Sequence, residues 1–173
     1  MSAALQVVVM GVSGTGKTVI GKALATNLEF EFIEGDSFHP PANIAKMSAG
    51  MPLNDEDRRP WLEELARMLT ARREANVGSV LACSALRRSY RDILRGDAPV
   101  GATFFLHLDV PFDVLLGRME TRKHFMPASL LQSQFDTLER LGPDERGHVL
   151  DFDGPIDEVV GVAVTAVLSD AEA

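Results

Sequence analysis

Eight consecutive residues, Gly11-Val12-Ser13-Gly14-Thr15-Gly16-Lys17-Thr18, carry the most specific chemistry in the chain. They match the pattern G-x-x-x-x-G-K-[S/T] at every fixed position. The glycines allow a backbone that turns successive N–H groups inward, forming a nest for phosphate oxygens. A helix opening at the end of the octet adds its unpaired N–H groups and the positive end of its dipole. Lys17 offers a point charge to β- and γ-phosphates, and the Thr18 hydroxyl can ligate Mg²⁺. The octet therefore predicts a nucleoside triphosphate site built by Gly11, Ser13, Gly14, Thr15, Gly16, Lys17 and Thr18. What the γ-phosphate is used for must be read from other residues.

A second reactive set lies downstream. Asp36 follows a short strand, Phe30 to Glu34, in the turn Gly35-Asp36-Ser37-Phe38-His39-Pro40-Pro41. A polar turn at the C-terminal end of a strand is where open α/β sheets bind ligands, so Asp36 is a candidate general base or metal partner. A helix-capping Asp is the plainer alternative. His39 reads equally well as a ligand or as loop packing. Arg58 and Arg59 open a long helix, where cations oppose the macrodipole, so at least one of them is expected to meet an anion. Arg87 and Arg91 follow the third strand at i, i+4, and Arg118 and Arg122 repeat that spacing on a later helix. The latter pair leads into Lys123-His124-Phe125-Met126-Pro127, a basic segment that reads as a lid carrying cations over a phosphate. Cys83 and His107 fall inside strands and read as buried structural residues, as does Trp61 within a helix.

These side chains need a scaffold, and the hydrophobic pattern supplies one. Apolar runs at Leu5–Met10, Phe30–Glu34, Val77–Ala85, Ala102–Asp109 and His148–Asp153 read as strands. Between them, helical periodicity runs through Val19–Leu28, from Asn54 or Asp55 to about Asn76, from Arg87 to about Leu94 and from Phe112 to Arg122. Further helices are expected over Pro41–Met47, from Ala128 to about Glu139 and from Pro155 to about Ser169. Pro60 is placed in or near a first helical turn, where its missing N–H is harmless. Alternating strands and helices predict an α/β fold, a three-layer α/β/α domain with a five-stranded parallel sheet and right-handed crossovers. At 173 residues the chain reads as one domain. A net charge of −8 argues against nucleic acid as a partner, while arginines gathered at the ligand edge of the sheet suit ATP and an anionic acceptor. With one cysteine no disulfide can form within the chain, and no apolar run is long enough to span a bilayer. The expected location is cytoplasmic.

Beyond the phosphate loop, the chain resembles the gluconokinase family. The resemblance rests on Glu34-Gly35-Asp36-Ser37-Phe38-His39-Pro40, Asn43 to Met47, and Pro52-Leu53-Asn54-Asp55-Glu56-Asp57-Arg58-Arg59-Pro60-Trp61-Leu62. It continues through Cys83 to Arg91, His124-Phe125-Met126-Pro127, Ser133-Gln134-Phe135 and Thr137-Leu138-Glu139. Two positions depart from the family pattern: Lys123 runs into His124 without an intervening glycine, and Arg140 follows Glu139 where proline is usual.

The resemblance implies a P-loop fold like that of nucleoside monophosphate kinases and shikimate kinases. It implies transfer of the ATP γ-phosphate to the 6-hydroxyl of D-gluconate, with Mg²⁺. It further implies a core over 4–36, 77–122 and 147–170, a substrate-binding segment over about 37–76, a lid over about 118–139, and a homodimer. Lys17, Asp36 and Arg122 then become the catalytic set, with Thr18 and Asp36 the metal partners. Asp36, His39, Arg58, Arg87, Arg91, His124 and Gln134 become the substrate side, with Arg58 facing the carboxylate. Arg118 and Arg122 join the nucleotide side.

Two other readings compete. A shikimate-kinase-like enzyme for another hydroxy acid would typically carry D-x-D after the second strand and a glycine triplet after the third; this chain has Gly35-Asp36 and Ser84-Ala85-Leu86. A nucleotide-dependent switch of the GTPase kind would carry N-K-x-D, which is absent from the sequence.

Overall fold

The computed structural model describes residues 4–99, 101–121, 127–151 and 153–171. In chain order the strands are β1 (Gln6–Met10), β2 (Glu31–Glu34), β3 (Ser79–Ala82), β4 (Thr103–Leu108) and β5 (Gly147–Leu150). The helices are α1 (Lys17–Leu28), α2 (Pro41–Ser48), α3 (Asp55–Glu74), α4 (Arg88–Arg95), α5 (Phe112–Glu120), α6 (Ala128–Thr137) and α7 (Ile156–Ala171), with a 3₁₀ turn over Gly35–Phe38. The strands form one sheet in the order β2-β3-β1-β4-β5, every pair parallel.

β1 is central and buried along its whole length, which explains its unbroken apolar run. Its side chains alternate between two cores. Val7 and Val9 pack with α1 and α7, together with Phe104, Leu106 and Leu108 of β4. Val8 and Met10 pack with α3, α4 and the inner residues of α5 and α6, together with Phe105. The two cores are the two interfaces of an α/β/α sandwich, as the alternation of elements predicts.

Boundaries differ from the sequence reading at the site itself. α1 begins at Lys17, so Lys17 and Thr18 occupy its first turn. β3 ends at Ala82, and the chain leaves it through Ala85 at a left-handed φ of 47°. α3 is capped by Asn54: its side chain accepts from the Asp57 N–H at 2.8 Å, and the Asp57 carboxylate accepts from the Asn54 N–H at 2.9 Å. Because α3 starts at Asp55, Pro60 lies in its second turn, and the i→i−4 hydrogen bond it cannot donate would have gone to Glu56, an exposed residue. Among the described residues no helix is long and apolar enough to cross a membrane.

Candidate active site

The phosphate loop leaves the C-terminal end of β1. Gly14 and Gly16 lie at φ of 86° and 97°, where a side chain would be strained, and Gly16 hands the chain into α1. The Lys17 ammonium donates to the carbonyls of Gly11 and Val12, both at 2.9 Å. Burial pushes its pKa down, and the nearby acidic groups Asp36, Cys83 and Glu34 oppose that shift. The Thr18 hydroxyl donates to the Glu34 carboxylate. The Ser13 N–H donates to Gln134 Oε1 at 2.7 Å, so α6 reaches across to the loop.

Glu34 and Asp36 flank Gly35. A Cβ on Gly35 would lie 2.4 Å from the Ala82 carbonyl oxygen, so only glycine lets the end of β2 approach β3 this closely. Trp61 Nε1 donates to the Gly35 carbonyl at 2.8 Å, and its ring stacks on His39 with centroids 3.9 Å apart. Trp61 is buried as the sequence suggests, and it also fixes the acidic turn. Ser13, Lys17, Asp36, His39, Arg58 and Gln134 all line one cavity of about 190 Å³. Ser84 and Leu86 close it from the β3 exit, and Leu130 and Ser133 from α6.

The arginines separate into distinct environments. Arg58 is buried, with Nη1 donating to the Leu53 carbonyl at 2.6 Å and to the Tyr90 hydroxyl at 3.1 Å. Tyr90 in turn donates to Asp55. Arg59 is exposed and lies 3.7 Å from Glu63, an ordinary surface pair. Arg87 caps α4 in extended conformation and sits 3.6 Å from Asp55, in an open groove that shares Leu53 and Arg58 with the cavity.

Arg91 departs from the sequence expectation. Its side chain is fully buried and bonds Glu145 through Nε at 2.7 Å and Nη2 at 3.1 Å, and the Ala85 carbonyl through Nη1 at 2.9 Å. It does not line the cavity; it braces the Ala85 turn beneath it. The i, i+4 argument pairing it with Arg87 fails because α4 starts at Arg88, leaving Arg87 outside the helix.

On the other side of the loop, Gly14, Thr15 and Gly16 line a second cavity of about 220 Å³ with Val19, Leu108 and Val110. Arg118 crosses it, donating to Asp153 Oδ1 at 2.6 Å and to the Gly14 carbonyl at 3.4 Å. Arg122 and His124 lie outside the described residues. Cys83 is buried with its pKa pushed up to about 12, first by burial, and is inert as expected.

Glu34, which bonds Thr18 of the phosphate loop, is a candidate that the sequence reading passed over. The signal was present: Glu34-Gly35-Asp36 is an acid-x-acid triplet at a strand end, equivalent in spacing to the D-x-D used above to set shikimate-type kinases apart.

With this geometry in hand, comparison with known proteins is informative. The family model described as shikimate kinase matches residues 13–168. The gluconokinase of Gluconobacter oxydans (strain 621H) is 54% identical over 140 residues, covering 80% of this chain and 77% of that one. The crystal structure of a gluconokinase from Sinorhizobium meliloti 1021 superposes with a TM-score of 0.89 at 45% identity, covering 99% of this chain and 96% of that one. A shikimate kinase from Acinetobacter baumannii in complex with shikimate shares the fold alone, with a TM-score of 0.63 at 16% identity over 96% and 94% of the two chains. The phosphate loop, the acid-x-acid turn and these similarities together place the chain in the gluconokinase family, within the shikimate-kinase-like P-loop kinases.

Proposed function

We propose that the protein transfers the γ-phosphate of ATP to the 6-hydroxyl of D-gluconate. The observation that carries this reading is that Asp36, His39 and Arg58 line the same cavity as Lys17 and Ser13 of the phosphate loop. A carboxylate, a hydrogen-bond donor and a buried guanidinium thus face the loop across a space suited to a small anionic polyol. Phosphoryl transfer is mainly positioning and charge neutralisation, and each part has a candidate.

The loop amides and Lys17 hold the β- and γ-phosphates. Asp36 accepts the proton of the attacking hydroxyl. Arg58 receives the gluconate carboxylate, with Arg87 at the adjoining groove. Gln134, already bonded to the loop, ties the helical part of the lid to the transfer site. Arg118 serves the nucleotide side, and the family resemblance adds Arg122 there and His124 at the acceptor. The chemistry of Thr18, Glu34 and Asp36 fits Mg²⁺, which binds through a few oxygens and keeps waters and phosphate ligands. Bound there, Mg²⁺ would neutralise charge on the β- and γ-phosphates. Residues 37–76 are the acceptor-binding segment and 118–139 the lid. The homodimer rests on the resemblance alone, and the cytoplasmic location on the single cysteine and the shortness of the apolar runs.

Coupled assay of ADP release tests the reading. Turnover that requires D-gluconate and Mg²⁺ is the expected result. Equal turnover with shikimate, or none with any sugar acid, would overturn it. Light scattering in solution tests the dimer, which a monomer mass would exclude.

A further inference from the structure

We infer that Asn43 is a positioning residue that holds the His39 imidazole as its Nε2–H tautomer, so that His39 donates to the acceptor and leaves proton removal to Asp36. This rests on the reading of the cavity as the acceptor site.

Asn43 lies in the first turn of α2 and is 3% exposed. Its Nδ2 sits 2.9 Å from the Asp57 carbonyl oxygen and 3.2 Å from His39 Nδ1. A backbone carbonyl can only accept, so the Asn43 atom facing it is the amide nitrogen. The two amide hydrogens are then shared between Asp57 and His39. Nδ1 must accept, and the neutral ring carries its proton on Nε2. That atom is 3.9 Å from Asp36 Oδ1, and both residues line the cavity. Stacking on Trp61, at an interplanar angle of 20°, holds the ring in place.

The charged groups facing the ring are Asp36 from the 3₁₀ turn and Arg58 from α3. Burial lowers the pKa of His39, Asp36 opposes this and Arg58 adds to it, leaving the value below the ordinary one. Protonation would also set Nδ1–H against the Asn43 N–H. Geometry and burial therefore act in one direction. A ring with its proton on the cavity side cannot accept a second one there, which distinguishes the role of His39 from that of Asp36.

Long-range ¹H–¹⁵N correlation spectra of the full-length, ¹⁵N-labelled protein read the tautomer directly, with His39 assigned by its loss in His39→Gln. The expected spectrum shows Nδ1 unprotonated and Nε2 protonated at about pH 7.5. In Asn43→Asp the carboxylate accepts from Nδ1–H, so the spectrum should show Nδ1 protonated. KM for gluconate should rise about tenfold while KM for ATP stays within about twofold. Asn43→Ala, checked for folding by circular dichroism, should move the two ring nitrogens toward averaged shifts, and it decides the matter if Asn43→Asp does not fold. An Nδ1–H ring in the unaltered protein, or an unchanged spectrum in Asn43→Ala, would overturn the inference. The spectrum is read without turnover. Inactivity on gluconate would therefore overturn the proposed function while leaving the tautomer assignment standing.

Discussion

The phosphate loop has a different kind of cavity on each side. Beyond the loop, one is assembled from the 36–39 turn, the stretch from the end of α2 into the first two turns of α3, the β3 exit and α6. It brings together a carboxylate, an imidazole stacked on Trp61 and a guanidinium bonded to Tyr90. The other is bounded by the loop itself and by the ends of β4, β5, α1 and α7. Its walls are largely apolar, with Arg118 and Asp153 at one edge. The contrast is the one expected if the polar cavity takes the acceptor and the apolar one the nucleotide, as proposed. A nucleotide base is gripped by apolar surface and its phosphates by backbone N–H groups, which many sequences can provide. A polyol acid needs polar groups at fixed places, and these require support from residues remote in sequence.

If the polar cavity is the acceptor side, removing its carboxylate should separate chemistry from nucleotide binding. Asp36→Asn is expected to lower kcat by about 10³-fold while ATP affinity, measured by calorimetry, stays within about twofold. Near-normal turnover would remove Asp36 from the base role.

The asymmetry continues in the sheet beneath. Leu108 of β4 lines the apolar cavity, whereas its neighbour His107 points to the opposite face. His107 is 1% exposed, and Nδ1 finds no partner among the described residues. Burial pushes its pKa from 6.5 down to about 4, with Asp109 opposing and Arg140 adding to the shift. The unfolded chain therefore binds a proton at higher pH than the fold does. The corresponding stability is present above pH 6.5 and is lost as pH falls toward 4. At about 1.4 kcal/mol per unit this amounts to about 3 kcal/mol. Urea unfolding at pH 7 and at pH 4.5 should show the loss, and His107→Phe should flatten it. An equal loss in that variant would place the pH sensitivity elsewhere.

Legibility in the sequence follows the same division. The phosphate loop is contiguous, so its chemistry can be read from eight residues, and the five strands follow the hydrophobic runs. The Asp36 turn was legible because Gly and Pro punctuate it. Arg91 was not. The acid that claims it, Glu145, lies 54 residues away, and nothing local distinguishes a guanidinium bound for a buried carboxylate from one bound for a ligand. The role of Trp61 was half legible: periodicity puts it inside, but only the packed structure shows that its indole N–H holds the Gly35 carbonyl. Glu34 was overlooked because it reads as the last residue of a strand, and only the packed structure shows its carboxylate turned back to the Thr18 hydroxyl in the first turn of α1.

Two arginine substitutions probe the comparison from opposite sides. Arg58 is held by Leu53 and Tyr90, a buried setting in which a charged hydrogen bond to a carboxylate is strong. Arg58→Ala should raise KM for gluconate about 30-fold, equivalent to about 2 kcal/mol, with little change in KM for ATP. A change confined to ATP would reassign the carboxylate to another cation.

Arg118 should give the mirror image on a smaller scale. It is more exposed and already paired with Asp153, so its contribution is partly offset by solvent and by that carboxylate. Arg118→Ala should raise KM for ATP about tenfold and leave KM for gluconate within about twofold. Asp153→Asn is the informative companion, because it frees the guanidinium without removing it. If Arg118 serves phosphate, that variant should bind ATP at least as tightly as the unaltered protein. If Arg118 only ties α5 to the segment after β5, both variants should lower the melting temperature alike and neither should alter ATP affinity in the folded protein. The division of labour between the two cavities would then rest on the loop and its apolar wall alone.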